Sequence, residues 1–373
     1  MRIGLLGAGN IGFGVYEIGQ YTDGVDVIKV LDKRDIPELR DLLTTDPDSI
    51  LEDPSIDTIV ELLGGVEPAF GWVEKALLSG KNVVTANKLL VSEKMPELLA
   101  AARKGGAELR FSAAVGGGIP ILLNLLRARR VDAVQETGGV LNGTTNYILT
   151  KMQEDHLDFE TALKQAQELG YAEANPDADV SGKDTHCKIM LAACIAWNGL
   201  IHKNEILREG ITNITPADLD KSHAMGYICR LMARAVDCGK GLAITVEPTL
   251  VKKESVPANI RLVENMGYWQ GANAGMQRFT GAGAGRYATA YAVIEDVLDL
   301  NGSGNYSFDV SDNFLTVDQN AIARQYLVRG LDLPGEKDGD YVLTDAVSPA
   351  VVHAAAEQAR AEGKKVFLAG LFD

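Results

Sequence analysis

The N-terminus constrains this chain more than any later stretch. Arg2-Ile3-Gly4-Leu5-Leu6 is a short apolar run that ends in Gly7-Ala8-Gly9-Asn10-Ile11-Gly12. An amphipathic stretch follows to about Ile18, and Val25 to Leu31 reads as a second strand closing in Asp32, twenty residues past Gly12. Strand, glycine turn, helix, strand and acid is the order of a dinucleotide-binding βαβ unit. Gly7 permits the tight turn, Gly9 lets the backbone approach a pyrophosphate, and Gly12 lets the helix pack against the strand. The N–H groups of the helix start, from Asn10 and Ile11 onward, then hold the phosphates. Asp32 would accept hydrogen bonds from an adenosine ribose, which favours NAD. Lys33 and Arg34 would instead neutralise a 2′-phosphate, which favours NADP, or form a solvated turn. The residues leave the choice within NAD(P) open.

The alternation continues along the chain. Thr58 to Leu62 is an apolar strand closing in Gly64-Gly65, and Pro68 to Leu78 has apolar residues at helical spacing. Asn82 to Thr85 is another strand, Ser92 is expected to cap a helix running to about Lys104, and Glu108 to Phe111 is a further strand. Strands alternating with helices give an α/β fold, a Rossmann-type parallel sheet with right-handed crossovers. Ligands of such sheets bind at the carboxyl ends of the strands. That edge should carry Gly7–Gly12, Asp32, Gly64, Thr85-Ala86-Asn87-Lys88 and Gly116-Gly117-Gly118.

After Pro120 the character changes. A helix to about Arg130 is followed by a strand from Val134 to Leu141, then Asn142-Gly143-Thr144-Thr145-Asn146 leads into a helix. Phe159 to Leu169 is a helix capped by Asp158, and a polar stretch from Gly170 to Asp179 precedes a long apolar helix from about Asp184 to Trp197. Thr215-Pro216-Ala217-Asp218 reads as a helix start, and Leu242–Val251 and Gln277–Thr280 as strands. The expected organisation is a dinucleotide-binding domain over 1–125, completed by about 300–320, an α+β domain over 126–300, and a tail over 321–373.

With 373 residues, the chain has room for two domains and a tail. A net charge of −15 argues against a nucleic-acid partner, because a polyanionic surface repels a phosphate backbone. No apolar run reaches the ~20 residues that span a bilayer, and the N-terminus does not read as a signal peptide, so a cytoplasmic location is expected. Cys187, Cys194, Cys229 and Cys238 lack CxxC spacing, and three of them are expected in apolar helical surroundings as reduced thiols. His186 and Cys187 are adjacent on a helix and point apart, which speaks against a metal site.

Reduction of an aldehyde needs a hydride from a nicotinamide and a proton for the growing alkoxide, and a lysine in a suitable site can supply the proton. An amino-acid substrate further needs carboxylates for its ammonium group and N–H or cationic donors for its carboxylate. Glu173, Asp179, Asp184, Lys88 and Lys188 are of the right types. Spacing alone does not separate these roles from blander ones. Asp184 and Lys188 have the order and spacing of a surface helical ion pair, and Glu173 and Asp179 also suit a solvated loop.

Several segments, taken in order, resemble the signature segments of homoserine dehydrogenases. They are Gly7–Gly12, Val83-Val84-Thr85-Ala86-Asn87-Lys88, Val115-Gly116-Gly117-Gly118-Ile119-Pro120, Leu141–Leu149, Leu169–Glu173, Asp179–Asp184 with Lys188, and Gly281–Gly285. The resemblance runs from residue 1 to about 300. It implies interconversion of aspartate 4-semialdehyde and homoserine with NAD(P)H, on the path to threonine, methionine and isoleucine. It implies that Lys188 and Lys88 are catalytic, Lys188 the proton donor, and that Gly143, Thr144, Glu173, Asp179 and Asp184 hold the substrate. Thr85, Lys88 and Gly285 would join Gly7, Gly9, Asn10, Ile11, Gly12, Asp32, Lys33 and Gly64 around the cofactor. A homodimer paired through the second domain, a substrate and dimerisation domain, is implied as well.

Two positions depart from the family pattern. The family holds a monovalent cation on backbone carbonyls matching Val115, Gly117 and Ile119 plus a glutamate at the position of Ser112. Serine brings no charge, so at most a weakly bound sodium ion is expected. Ala288 stands where the pattern carries proline, which should loosen a turn and leave the chemistry intact. Many relatives end in a regulatory ACT domain of βαββαβ order. Here Arg324–Leu331, Gly339–Thr344, Pro349–Glu362 and Lys365–Phe372 read as strand, strand, helix and strand, a short degenerate ACT-like tail that cannot bind a feedback amino acid. The two competing readings are another small amino-acid dehydrogenase on the same fold and a catalytically silent NAD(P)-binding sensor.

Overall fold

The computed structural model describes residues 1–300, 302 and 306–372; part of the 300–320 stretch, and Asp373 of the tail, lie outside the described residues. The chain divides into two compact units: 1–131, 194–200 and 282–313 form the first, and 132–193, 201–281 and 314–373 the second.

The first unit is built on six strands, β1 (Arg2–Leu6), β2 (Asp26–Leu31), β3 (Leu43–Thr44), β4 (Thr58–Glu61), β5 (Asn82–Thr85) and β6 (Leu109–Arg110), in the order β3-β2-β1-β4-β5-β6. All five pairings are parallel. Parallel strands are covered on both faces, and their near-continuous apolar runs reflect it: Ile3, Leu5, Val30, Val60 and Val84 pack with Val293 and Val297 of the helix Arg286–Asp299. The sheet is wound by α1 (Asn10–Gly19), α2 (Asp48–Leu51), α3 (Ala69–Leu78), α4 (Lys88–Gly105) and α5 (Ile121–Ala128). Because every strand points the same way, the turns after β1, β2, β4, β5 and β6 share one edge.

Helix α4 differs from the sequence expectation. It starts at Lys88, capped by Asn87, whose side chain accepts from the Leu90 N–H at 3.1 Å. Ser92 lies inside the helix, its hydroxyl turned back to the Leu89 carbonyl at 3.1 Å. The helical path is kinked at Lys94, two residues before Pro96, whose missing N–H and ring break the ladder. The Arg286–Asp299 helix forms with Ala288 in its first turn.

The second unit holds a ten-stranded sheet in the order β12-β11-β7-β9-β10-β16-β13-β15-β14, with β8 on β10. Its body comprises β7 (Val134–Val140), β8 (Leu207–Arg208), β9 (Tyr227–Asp237), β10 (Leu242–Lys252), β11 (Glu264–Gly271) and β12 (Gly275–Ala282). Its helices are α6 (Gly143–Glu154), α7 (Phe159–Glu168), α8 (Asp177–Val180), α9 (Lys183–Trp197) and α10 (Pro216–Ala224). Strands β8, β9 and β11 are not among the strands expected from the sequence, and Cys229 sits in β9 rather than in a helix; all four cysteines are free thiols. Helix α10 starts with a full capping box between Thr215 and Asp218.

The tail contributes β13 (Tyr326–Arg329), β14 (Gly335–Asp338), β15 (Tyr341–Thr344), the helix Pro349–Ala361 and β16 (Phe367–Phe372); β14, which pairs antiparallel with β15, is a strand not expected between the first two tail strands. It has its own apolar cluster, in which Tyr326, Val328, Val342, Val352 and Leu368 meet. It also extends the sheet of the second unit, since β16 lies parallel to β10 at Thr249–Val251 and antiparallel to β13.

Candidate active site

In the first unit the glycine turn has the geometry that a diphosphate requires. Gly7 has φ +100°, and a Cβ on Gly12 would lie 2.0 Å from the Gly7 carbonyl, so helix and strand meet only because Gly12 has no side chain. A Cβ on Gly9, Gly64 or Gly285 would meet nothing within 4 Å, so these turns present bare backbone. No side chain caps α1 and no acid stands in its first turn, which leaves the N–H groups of the helix start for an anion. These residues fit a dinucleotide.

Asp32 follows β2 as expected, but its partner is Arg34. Arg34 donates to the Asp32 carboxylate from Nε at 2.9 Å and Nη2 at 2.8 Å, and also reaches the Ala8 carbonyl at 2.8 Å. The Ala8 N–H donates to the same carboxylate at 3.0 Å. Arg34 above all, opposed by partial burial, holds this carboxyl well below the usual range. Lys33 makes no such contact among the described residues.

A second acid at this edge escaped sequence reasoning. Glu61 ends β4 with no exposed surface, accepting from Thr85 Oγ1 at 2.6 Å, from the Leu63 N–H at 2.8 Å and from Asn87 Nδ2 at 3.3 Å. Burial pushes its carboxyl up against those bonds. Asn87 also donates to the Gly65 carbonyl at 2.6 Å, so the β4 and β5 turns are tied together through Glu61. The Thr85 hydroxyl is engaged in this network, and Lys88 follows as the first residue of α4. The signal was present in the sequence: one charged residue at the end of an otherwise apolar buried strand.

The Gly116-Gly117-Gly118 turn packs on the segment before the Arg286–Asp299 helix, where a Cβ on Gly117 would lie 2.9 Å from Gly283. Ser112 donates its N–H to Asp296 Oδ2 at 2.8 Å, and burial pushes the Asp296 carboxyl up to about 7. Ser112 Oγ and Asp296 Oδ1 are buried without hydrogen-bond partners. Of the three carbonyls expected to face a cation, that of Ile119 already accepts from the Ile121 N–H at 2.7 Å. No group of three or more His, Cys, Asp or Glu side chains suited to a metal occurs among the described residues.

In the second unit Asn142 is the hub. Its Oδ1 accepts from the Thr145 N–H at 2.8 Å, capping α6. Its Nδ2 donates to Asp179 Oδ1 at 2.7 Å and to Asp184 Oδ2 at 2.8 Å. Lys188, 7% exposed, places Nζ 2.5 Å from the Leu141 carbonyl and 2.8 Å from Asp184 Oδ2. The Asp184–Lys188 pair is therefore buried, not a surface ion pair. Thr144 donates its hydroxyl to the Tyr171 carbonyl at 2.5 Å, fixing the polar stretch onto α6. Gly143 has no room for a side chain, since a Cβ would lie 2.9 Å from the Val263 carbonyl. Glu173 is exposed on that stretch; Gln167 bonds its backbone carbonyl at 3.1 Å, and its carboxylate makes no hydrogen bond or ion pair among the described residues.

A doubly wound parallel sheet with a bare glycine turn and an acid after its second strand, joined in one chain to an α+β unit in which one asparagine links two acids and one of them pairs with a buried lysine, defines a nicotinamide-dependent oxidoreductase of a small polar substrate. The comparisons with known proteins narrow the class. The chain belongs to the homoserine dehydrogenase family: the family model for homoserine dehydrogenase matches residues 120–298, and that for the homoserine dehydrogenase NAD binding domain matches residues 7–112. The homoserine dehydrogenase of Synechocystis is 37% identical over 318 residues, covering 81% of this chain and 73% of the relative. That of Bacillus subtilis is 36% identical, covering 80% and 72%. The crystal structure of a homoserine dehydrogenase from Thiobacillus denitrificans superposes with a TM-score of 0.88 at 29% identity, covering 100% of this chain and 98% of that one. The chain is thus an NAD(P)-dependent enzyme of amino-acid biosynthesis that interconverts L-aspartate 4-semialdehyde and L-homoserine. Among the described residues, no helix is long and apolar enough to cross a membrane.

Proposed function

We propose that Lys188 is the proton donor of this reaction and that Lys88 is the second catalytic lysine. The observation that carries the assignment is the buried Lys188 ammonium, which commits two of its three N–H groups to the Leu141 carbonyl and to Asp184. Its third N–H is directed to the substrate carbonyl oxygen. A bound nicotinamide supplies the hydride to the carbonyl carbon. As charge grows on the oxygen, Lys188 delivers a proton to it and Asp184 keeps the amine in place; in the reverse direction the amine takes the proton back from the hydroxyl. Asp179, Asp184 and the exposed Glu173 hold the substrate ammonium, and the backbone of Gly143 and Thr144 at the start of α6 holds its carboxylate.

The cofactor is cradled by Gly7, Gly9, Asn10, Ile11 and Gly12 at its pyrophosphate, by Asp32 with Lys33 at the adenosine ribose, and by Gly64, Thr85, Lys88 and Gly285 toward the nicotinamide. A sodium ion, where present, is held weakly by the carbonyls of Val115, Gly117 and Ile119. The enzyme works in the cytoplasm as a homodimer paired through the α+β domain, on the route to threonine, methionine and isoleucine. The tail is a shortened ACT remnant whose role is packing. Homoserine-dependent NAD(P)H formation at alkaline pH tests the assignment: turnover on homoserine that vanishes in Lys188→Ala while NAD(P)H binding persists is expected. Full turnover in that variant would remove Lys188 from the mechanism.

A further inference from the structure

The substrate-type residues of the second unit gather at the N-terminal end of α6, and a separate cavity of about 400 Å³ opens at its other end. Gln153 and Glu154 of the last helical turn, His156 just beyond, Asp220 and His223 of α10, and Arg230 of β9 line it. Thr144 and Gln153 lie about 14 Å apart along the axis at the helical rise per residue.

Arg230 is the residue that requires a partner. It is 2% exposed, and its Nη1 and Nη2 donate only to the carbonyls of Cys229 at 3.1 Å and Ala258 at 2.8 Å. Its Nε–H has no partner at all. Arg110, equally buried, has Glu108 as its carboxylate partner, and the less buried Arg234 and Arg324 have Glu136 and Glu247. Arg230 has none among the described residues, since nearby Glu154 is bonded to Arg261. Burial pulls its guanidinium down to about 10, which still leaves it charged at neutral pH. A buried charge without a counter-ion is costly, and a bound anion removes the cost.

The rim has the opposite sign. Asp220 stands exposed at the opening, 3.8 Å from His156 Nδ1, while Glu154, also exposed, is already paired with Arg261. A dianion such as phosphate would pass the Asp220 carboxylate to reach the arginine. A molecule with a carboxylate inward and an ammonium outward satisfies both ends, and the apolar wall offered by Ile228 and Ala258 suits a small aliphatic side chain. We propose that this cavity is a second binding site, for a free neutral α-amino acid whose carboxylate pairs with Arg230 and whose ammonium meets Asp220 at the rim.

Calorimetric titration of the full chain with glycine, L-valine and L-leucine, and separately with inorganic phosphate, tests it. Saturable binding of at least one amino acid is expected. In Arg230→Met that binding should weaken at least about tenfold, the size of one lost charge-assisted bond, with the KM for homoserine unchanged. Arg230→Lys, which keeps the charge and loses the fork, decides the matter if the methionine variant does not fold, and should bind several-fold more weakly. The proposal is overturned if none of the three amino acids binds by about 10 mM, an affinity of only about 3 kcal/mol, or if only phosphate binds. It is equally overturned if binding survives both Arg230 variants, or is abolished by Asp184→Asn while both Arg230 variants retain it.

Discussion

Lys188 and Asp184 form an ion pair of 2.8 Å in which the lysine is 7% and the aspartate 8% exposed. One helical turn separates them, the spacing that puts two side chains on one face of α9. At a surface such a pair contributes little. Here it fixes an ammonium whose other hydrogen-bond partner among the described residues is the Leu141 carbonyl, so its consequence is orientation. Lys188→Ala should lower kcat by roughly 10²–10⁴-fold, the range of a lost general acid, with the NAD(P)H dissociation constant unchanged by fluorescence titration. Asp184→Asn keeps the shape and removes the charge, and should lower kcat less while raising the KM for homoserine.

Asn142 offers a sharper test because two substitutions separate its two tasks. Asn142→Asp retains a side chain that caps a helix as well as asparagine does. It also sets a third carboxylate against Asp179 and Asp184, which now accept from the Asn142 amide. Asn142→Ala loses both the cap and the amide, and should cost about 1 kcal/mol in urea denaturation. The aspartate variant keeps the cap, so any stability it loses reports repulsion among the three carboxylates, and it should show the larger rise in KM for homoserine. A stable Asn142→Asp enzyme with normal KM would show that the amide does not organise the acids.

Arg34 covers Asp32 with a two-nitrogen contact, so the acid meets an adenosine ribose with its charge already paired. That arrangement lessens the repulsion of a 2′-phosphate and supplies a cation for it. Arg34→Ala should lower kcat/KM with NADP by roughly ten- to a hundredfold, the size of one charge-assisted hydrogen bond, and leave or improve kcat/KM with NAD. Equal losses with both cofactors would mean that Arg34 only braces the Gly7–Gly12 turn through Ala8.

These tests rest on residues that differ in how visible they are in the sequence. The Gly7–Gly12 turn and Asp32 are legible because a βαβ unit is local, and its glycines and acid stand at fixed separations. Asn142 shows its cap in the run Asn-Gly-Thr-Thr, yet its bonds to Asp179 and Asp184 cross 37 and 42 residues and leave no local trace. Strand β9 was hidden for a different reason. Arg230 and Arg234 interrupt its apolar pattern while both are buried, one paired with Glu136 across the sheet and one facing a cavity. Ser92 carried a sound cap signal, but Asn87 stands five residues earlier at the end of β5 and begins the helix first. Arg34 and Lys33 are equivalent on paper; only the turn after β2 decides which one folds back on the acid.

The tail can be tested through Glu247, which lies on β10 with no exposed surface and receives Arg324 and His353 from the tail, the latter at 2.6 Å. Burial alone would push this carboxyl up, but Arg324 and His353 outweigh it and hold the carboxyl below its usual value. A depressed carboxyl contributes stability that is fully present above the ordinary carboxylate range and is lost as the pH falls through its folded value. The tail-bearing unit should therefore lose stability on acidification below about pH 4.5, the ordinary value of a glutamate. Glu247→Gln leaves Arg324 buried beside a neutral amide and should cost about 3–5 kcal/mol at pH 7. The acid branch of its urea midpoint against pH should be flatter than that of the wild type. Adding Arg324→Met to that variant removes the stranded cation and should restore part of the loss, because a neutral, well-packed replacement avoids the desolvation penalty. A double variant no better than Glu247→Gln, with an acid branch still parallel to the wild type, would show that the tail is held by its apolar cluster and by the β16–β10 pairing alone.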